Sequence, residues 1–159
     1  MQKARLLLTT VLLLLFALGN AWAAERINTL EKQGLFSYQP NGIAIRGYDT
    51  VAYFTEGKPV EGNDEFTTVW QDATWKFSSQ EHLELFTTDP EKYAPQYGGY
   101  CAYGVAQNNL VKIEPDQWTI HDDKLYLNYN AKLNREWTKD IPGYIKTADE
   151  LFESLLKTQ

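Results

Sequence analysis

The chain has 159 residues and carries 15 Lys and Arg against 21 Asp and Glu, a formal net charge of −6. An acidic balance of this kind excludes nucleic acids and anionic membrane surfaces as partners held by bulk electrostatics. Cys101 is the single cysteine, which excludes an internal disulfide, and the length fits one ordinary domain.

Residues 1–23 read as an export signal. Lys3 and Arg5 form a positive n-region, residues 6–18 are apolar apart from Thr9 and Thr10, and Ala21-Trp22-Ala23 fits the small-x-small cleavage pattern, which places the mature start near Ala24. The apolar run is shorter than the ~20 residues that span a bilayer, although an uncleaved N-terminal anchor is the alternative. No tandem arginines and no following cysteine are present. The expectation is therefore a periplasmic protein, secreted by the general route without a lipid anchor and free of the membrane once the leader is cut.

Residues 24–42 form a polar, weakly periodic N-terminal segment, in which Leu30, Leu35 and Phe36 are the docking candidates and a short helix is one option. Residues 43–159 form the domain. Asn41-Gly42 marks a turn, and 43–46 reads as a short strand ended by Gly47. Asp49 caps a short helical turn that faces Val51, Ala52 and Phe54 inward. Residues 65–70 and 74–77 alternate and are rich in β-formers, so with Gln71-Asp72-Ala73 between them they predict a hairpin. Ser78 and Glu81 have capping-box spacing, opening a helix over 79–87 with Leu83 and Phe86 on its inner face. Asp89-Pro90 opens another short helix, with proline at the first helical position, and Pro95 ends it. Residues 108–115 read as a loop. Residues 117–121 and 124–129 alternate on either side of Asp122-Asp123, the strongest hairpin signal in the chain. Residues 131–138 predict a short helix. Thr147 and Glu150 form a second capping box, opening a helix over 148–156 packed through Leu151, Phe152 and Leu155. No internal repeat stands out, and the whole reads as one small α+β domain of β-hairpins and short helices.

The stretch between the two halves holds the chemistry. Tyr97-Gly98-Gly99-Tyr100-Cys101-Ala102-Tyr103-Gly104 surrounds the lone thiol with glycines that permit close approach and tyrosines that supply rigid walls. Tyr97, Gly98, Gly99, Tyr100 and Tyr103, with Asp49, are the candidate pocket residues. Once Met1 leaves with the leader, the nitrogen and sulfur ligands are His82, Cys101 and His121. No CxxC spacing accompanies them, yet a Cys/His/His set drawn from three elements suits copper or zinc by ligand softness. His82 is the better partner for Cys101, and His121 stands at a hairpin tip. A thiol enzyme or redox protein is the second option, with Cys101 activated by His82 and Asp49 or Asp89 orienting the imidazole. A structural or partner-binding module, with Cys101 as a buried small hydrophobe, is the third. No G-x-S-x-G, H-E-x-x-H, P-loop or G-x-G-x-x-G is present, so no catalytic residue is assigned and a non-enzyme is favoured.

Phe77-Ser78-Ser79-Gln80-Glu81-His82, Phe86 and Asp89-Pro90-Glu91-Lys92-Tyr93 together resemble the YHS domain, a small module of metal-handling proteins such as copper-transporting ATPases. Gly47-Tyr48-Asp49 with Ala52-Tyr53-Phe54, the run from Ala94 to Ala102, and Lys124-Leu125-Tyr126-Leu127-Asn128-Tyr129 are similar to its exported bacterial branch. The resemblance spans 43–151 and implies a YHS/TRASH-like core. It also implies a metal site that has lost ligands. Ala52 stands where the metal-binding versions carry the cysteine of Asp-Pro-Val-Cys, and Ser78 and His82 stand at the two cysteine positions of Phe-Cys-Ser-x-x-Cys. Only His82 of these remains a ligand, and Cys101 is expected to pair with it.

Overall fold

Two hairpins form where alternation of β-formers predicts them. The computed structural model describes residues 24–158 apart from 34 and 36; residues 1–23, read as a leader, and Phe36 lie outside the described residues. Strand β3 (Asn63–Trp70) pairs antiparallel with β4 (Ala73–Phe77), Trp70 opposite Ala73. Gln71 and Asp72 between them have φ of 48° and 61°, the left-handed pair that matches strand twist in a two-residue turn. Strands β5 (Trp118–His121) and β6 (Lys124–Leu127) repeat this around Asp122 and Asp123, with φ of 50° and 57°. Asn128 and Tyr129 lie just past β6.

The N-terminal segment forms a third hairpin where a short helix was an option, β1 (Leu30–Gln33) against β2 (Ser37–Pro40). The segment has no apolar stripe at helical spacing to bury, and strand pairing satisfies its backbone instead. Leu30 docks as expected, partly buried on the helical core, whereas Leu35 at the hairpin tip is exposed.

Residues 43–46 do not form the predicted strand. Ile43 makes one isolated parallel bridge to Thr74, and residues 44–47 tighten into a turn with φ of 51° at Ile45, 57° at Arg46 and 78° at Gly47. Tertiary contacts override β-propensity here. Ile45 N donates to Asn28 O at 3.0 Å, and the Ile45 side chain is wholly buried.

Six helices complete the described residues: α1 (Ala52–Thr55), α2 (Gln80–Thr88), α3 (Pro90–Tyr93), α4 (Ala102–Ala106), α5 (Ala131–Trp137) and α6 (Ile141–Thr158). Asp89 caps α3 with Pro90 at its first position, as its sequence predicts. Capping of α2 falls one residue later than the Ser78–Glu81 spacing: Ser79 Oγ accepts from His82 N, because Ser78 bonds elsewhere. Helix α6 starts at Ile141, well before the predicted 148. Pro142 is tolerated because the first-turn N–H has no helical partner to lose, and Asp140 Oδ1 accepts from Gly143 N at 3.1 Å.

The mixed α+β class is as expected from sequence. Apolar residues gather in two clusters. One centres on Trp75, Phe77 and Phe86 of the β3–β4 and α2 layer, with Tyr53, Val51, Leu125 and Leu127. The other joins α4, α5 and α6 through Val105, Trp137, Ala148 and Leu155. The Tyr97–Gly104 stretch sits between them, giving Cys101 to the first and Tyr97, Tyr100 and Ala102 to the second. Among the described residues no helix is long and apolar enough to cross a membrane.

Candidate functional site

Two turns of the same shape position the chemically active side chains. In one, Ile45 (φ 51°, ψ 38°) and Arg46 (φ 57°, ψ 24°) lead to Gly47 at φ 78°. In the other, Tyr97 (φ 55°, ψ 35°) and Gly98 (φ 60°, ψ 15°) lead to Gly99 at φ 79°. Each closes by a tyrosine amide bonding back, Tyr48 N to Ile45 O and Tyr100 N to Tyr97 O, both at 3.1 Å. Asp49 follows the first tyrosine and accepts from the amides that lead into α1, and Cys101 follows the second and caps α4. Gly47-Tyr48-Asp49 and Gly99-Tyr100-Cys101 carry the signature of this pairing in the sequence.

Asp49 is fully buried and collects five donors. Its Oδ1 accepts from Val51 N at 2.9 Å and Ala52 N at 3.3 Å, which folds α1. Its Oδ2 accepts from Ser78 N at 2.8 Å, Ser78 Oγ at 2.6 Å and His82 Nδ1 at 2.6 Å. A carboxylate is acceptor only, so the His82 Nδ1 proton points at Asp49. Nε2 then faces Thr55 Oγ1, 3.2 Å away. The single Thr55 hydroxyl proton has a second acceptor, Val51 O, also at 3.2 Å. Asp49 thus takes the role of orienter that the sequence offers to it or to Asp89. Ser78 and Thr55 join the network only where α1 and the β4–α2 junction meet, which no local pattern reveals.

Cys101 is a second, separate centre. It is completely buried. Its Sγ accepts from Gly104 N and Tyr129 N, each at 3.3 Å, and donates to Asn128 Oδ1 at 3.5 Å. Burial pushes the thiol up from its ordinary range, and the backbone donors offset only part of that. Asn128, also fully buried, accepts from Tyr103 N and donates to Asn134 Oδ1, tying the thiol to α5. Its signal in the sequence is an amide directly after the apolar run of β6.

Cys101 and His82 share no hydrogen-bond partner. His121 lies at the β5–β6 tip with Asp122 Oδ2 at 3.5 Å. Among the described residues, no group of three or more His, Cys, Asp or Glu side chains is placed to hold a metal ion.

The candidate pocket residues also part company. Tyr97 and Gly98 line an open cleft of about 560 Å³ with Arg26, Trp70, Lys124 and Phe152. Tyr97 donates to Asp149 Oδ1 at 2.9 Å, and burial, reinforced by Asp149, holds its phenol far above the ordinary value. Gly99 O accepts from Asn28 Nδ2 at 2.9 Å. Tyr100 donates to Glu25 O at 2.9 Å, and burial raises its phenol to about 12. Tyr103 packs edge-on against Tyr144, and Asp49 belongs to the histidine network. The cleft wall carries both charges. Arg26 is paired twice to Glu153, at 2.8 and 2.9 Å, whereas Lys124, Glu91 and Asp149, which also line the cleft, have no ion-pair partner among the described residues. Compared with family models, curated proteins and solved structures, the chain matches none.

Proposed function

We propose that this chain is an exported, YHS-type binding module whose ligand occupies the cleft between the Tyr97-Gly98 turn, the β3–β4 tip and α6. The observation that carries this reading is the set of charges without an ion-pair partner, Lys124 with the carboxylates Glu91 and Asp149, on a wall that also holds Trp70. Opposite charges lining one open cleft select a ligand by complementarity, and a zwitterion of amino-acid or short-peptide chemistry answers both. The sealed, saturated Cys101 favours a structural thiol in such a module over thiol catalysis. Thermal unfolding with a panel of free amino acids and dipeptides tests the reading. A ligand at about a hundred times its Kd stabilises by about 2.7 kcal/mol, a rise of several degrees that Lys124→Ala and Glu91→Ala should remove. No shift with any member at 10 mM sinks it.

A second reading is transition-metal binding, copper or zinc, centred on His82. Ligating histidines almost always hand the other ring N–H to a carboxylate or carbonyl, and Asp49 takes Nδ1 in this way, leaving Nε2 against Thr55 Oγ1. Cys101 would be a distinct site in that case. Elemental analysis after copper and zinc exposure decides: stoichiometric metal lost in His82→Gln but kept in Cys101→Ser supports it, and metal in neither parent nor variant removes it.

A further inference from the structure

Ala24 N donates to Leu156 O at 3.1 Å, joining the predicted mature start to the last turn of α6. Leu156 carries one of the last four carbonyls of an 18-residue helix, groups that have no partner within the helix and form the negative end of its dipole. In a longer chain residue 24 offers this carbonyl an amide N–H. Hydrolysis of the bond between Ala23 and Ala24 adds one water, gives Ala23 a carboxylate, and leaves an ammonium on Ala24 at the same point in space.

We infer that cleavage after Ala23 is the step that completes this fold, because the new α-ammonium of Ala24 caps the carboxyl end of α6. The inference rests on the export reading above and extends it from location to consequence. The residues that follow fix where the ammonium sits. Asn28 N donates to Gly98 O at 2.8 Å, and a Cβ on Gly98 would stand 1.8 Å from Arg26 O, so the segment is threaded closely across the turn. Arg26 clasps Glu153 of α6, and Tyr100 holds Glu25 O. The Ala24 side chain itself packs on the helical core. Glu25, Arg26 and Asp72 line the pocket beside Ala24, Glu153 enters through its pair with Arg26, and Lys157 is the basic residue of the last turn of α6. Arg26 is neutralised by Glu153, so the helix end with Asp72 and Glu25, the latter also accepting from Thr29, favours a cation against Lys157. A cation in place of an amide donor turns a neutral hydrogen bond into a charge-assisted one.

The helix end raises the folded amine's pKa above its unfolded value of ~8. Its contribution is therefore full below that value and lost as pH rises through the folded pKa. The test compares the chain beginning at Ala24 with the same chain preceded by Gly-Ser-Gly-Ser. The extension carries the charge ~13 Å away, beyond the Debye length of ~8 Å at physiological salt. The expected result is a midpoint about 1–4 °C higher for the Ala24 form at pH 6.5, with the gap closing by pH 10. Equal midpoints at pH 6.5, or a gap undiminished at pH 10, overturn the capping role. Intact mass of the full chain expressed with its own leader supplies the second arm. An exported product starting at Ala24 supports the inference. An exported product starting elsewhere overturns it while sparing the export reading, and an unprocessed, unexported chain overturns both.

Discussion

The turn ending in Gly47-Tyr48-Asp49 and the turn ending in Gly99-Tyr100-Cys101 share one backbone shape and differ in what the capping atom can do. A carboxylate has about four acceptor positions, and Asp49 uses them to bind α1, Ser78 and His82 into one unit. A thiol accepts weakly, and Cys101 holds two amides and passes its own proton inward to Asn128. The first network runs outward, through the imidazole to Thr55 near the surface. The second ends in the core. The same local frame thus carries a polar junction with an outlet in one half and a sealed cap in the other, and the capping side chain sets which.

Removing Asp49 should have the largest effect. Asp49→Ala leaves two amides of α1, both donors of Ser78 and the His82 Nδ1 proton without their acceptor inside a fully buried site. Breaking a buried charged network by deleting one partner costs about 3–5 kcal/mol, so urea unfolding should show a large part of a total of about 5–15 kcal/mol gone. Asp49→Asn preserves shape and three or four of the contacts and should cost less than half as much. The contrast between the two turns fails if Asp49→Ala proves no more damaging than Cys101→Ala.

Glycine replacement separates the turns by their surroundings. Gly47 and Gly98 both have positive φ, so alanine at either suffers the left-handed penalty of about 1–2 kcal/mol. A Cβ on Gly47 meets nothing closer than Lys76 Cδ at 3.6 Å, whereas one on Gly98 drives into the Arg26 carbonyl. Backbone overpacking adds about 1–3 kcal/mol, and Gly98→Ala should also release the N-terminal segment to limited proteolysis while Gly47→Ala leaves it protected. Equal midpoints and equal protection would show that the segment does not need the close approach at Gly98.

What the sequence made legible follows from how local the cause is. Both predicted hairpins are real because alternation and a two-residue turn lie within a dozen residues of each other. Asp89-Pro90 opens α3 for the same reason. The strand expected over 43–46 failed because its conformation is set by Asn28 and by the glycine turn at 98–99, both far away in sequence. The onset of α6 was misplaced because Thr147-Ala148-Asp149-Glu150 has good cap spacing, and nothing local reveals that Asp140 already caps the helix. The Asp49–His82 contact was foreseen as one of two options, since a carboxylate is needed to orient a histidine. Cys101 caps α4 and bonds Asn128, Gly104 and Tyr129, while His82 in α2 bonds Asp49 and Thr55, so the two side chains have different hydrogen-bond partners, which no local pattern reveals.

Replacement of Cys101 should have the smallest effect and tests the sealed half directly. Serine keeps an acceptor for Gly104 N and a donor for Asn128, and it is itself a favoured cap, so Cys101→Ser should cost about 1 kcal/mol. Alanine removes the acceptor and should cost more, about 1–2 kcal/mol. Burial holds the thiol above its ordinary range, so little thiolate forms near neutrality and none of it meets solvent. Iodoacetamide should therefore label Cys101 only as the domain unfolds. The rate should follow global stability as urea is raised, and in its absence it should lie below that of the urea-unfolded chain at every pH between 7 and 9 by the same folding equilibrium constant. Labelling of the native protein at a rate near that of the unfolded chain, and insensitive to low urea, would mean that the second turn has an outlet too.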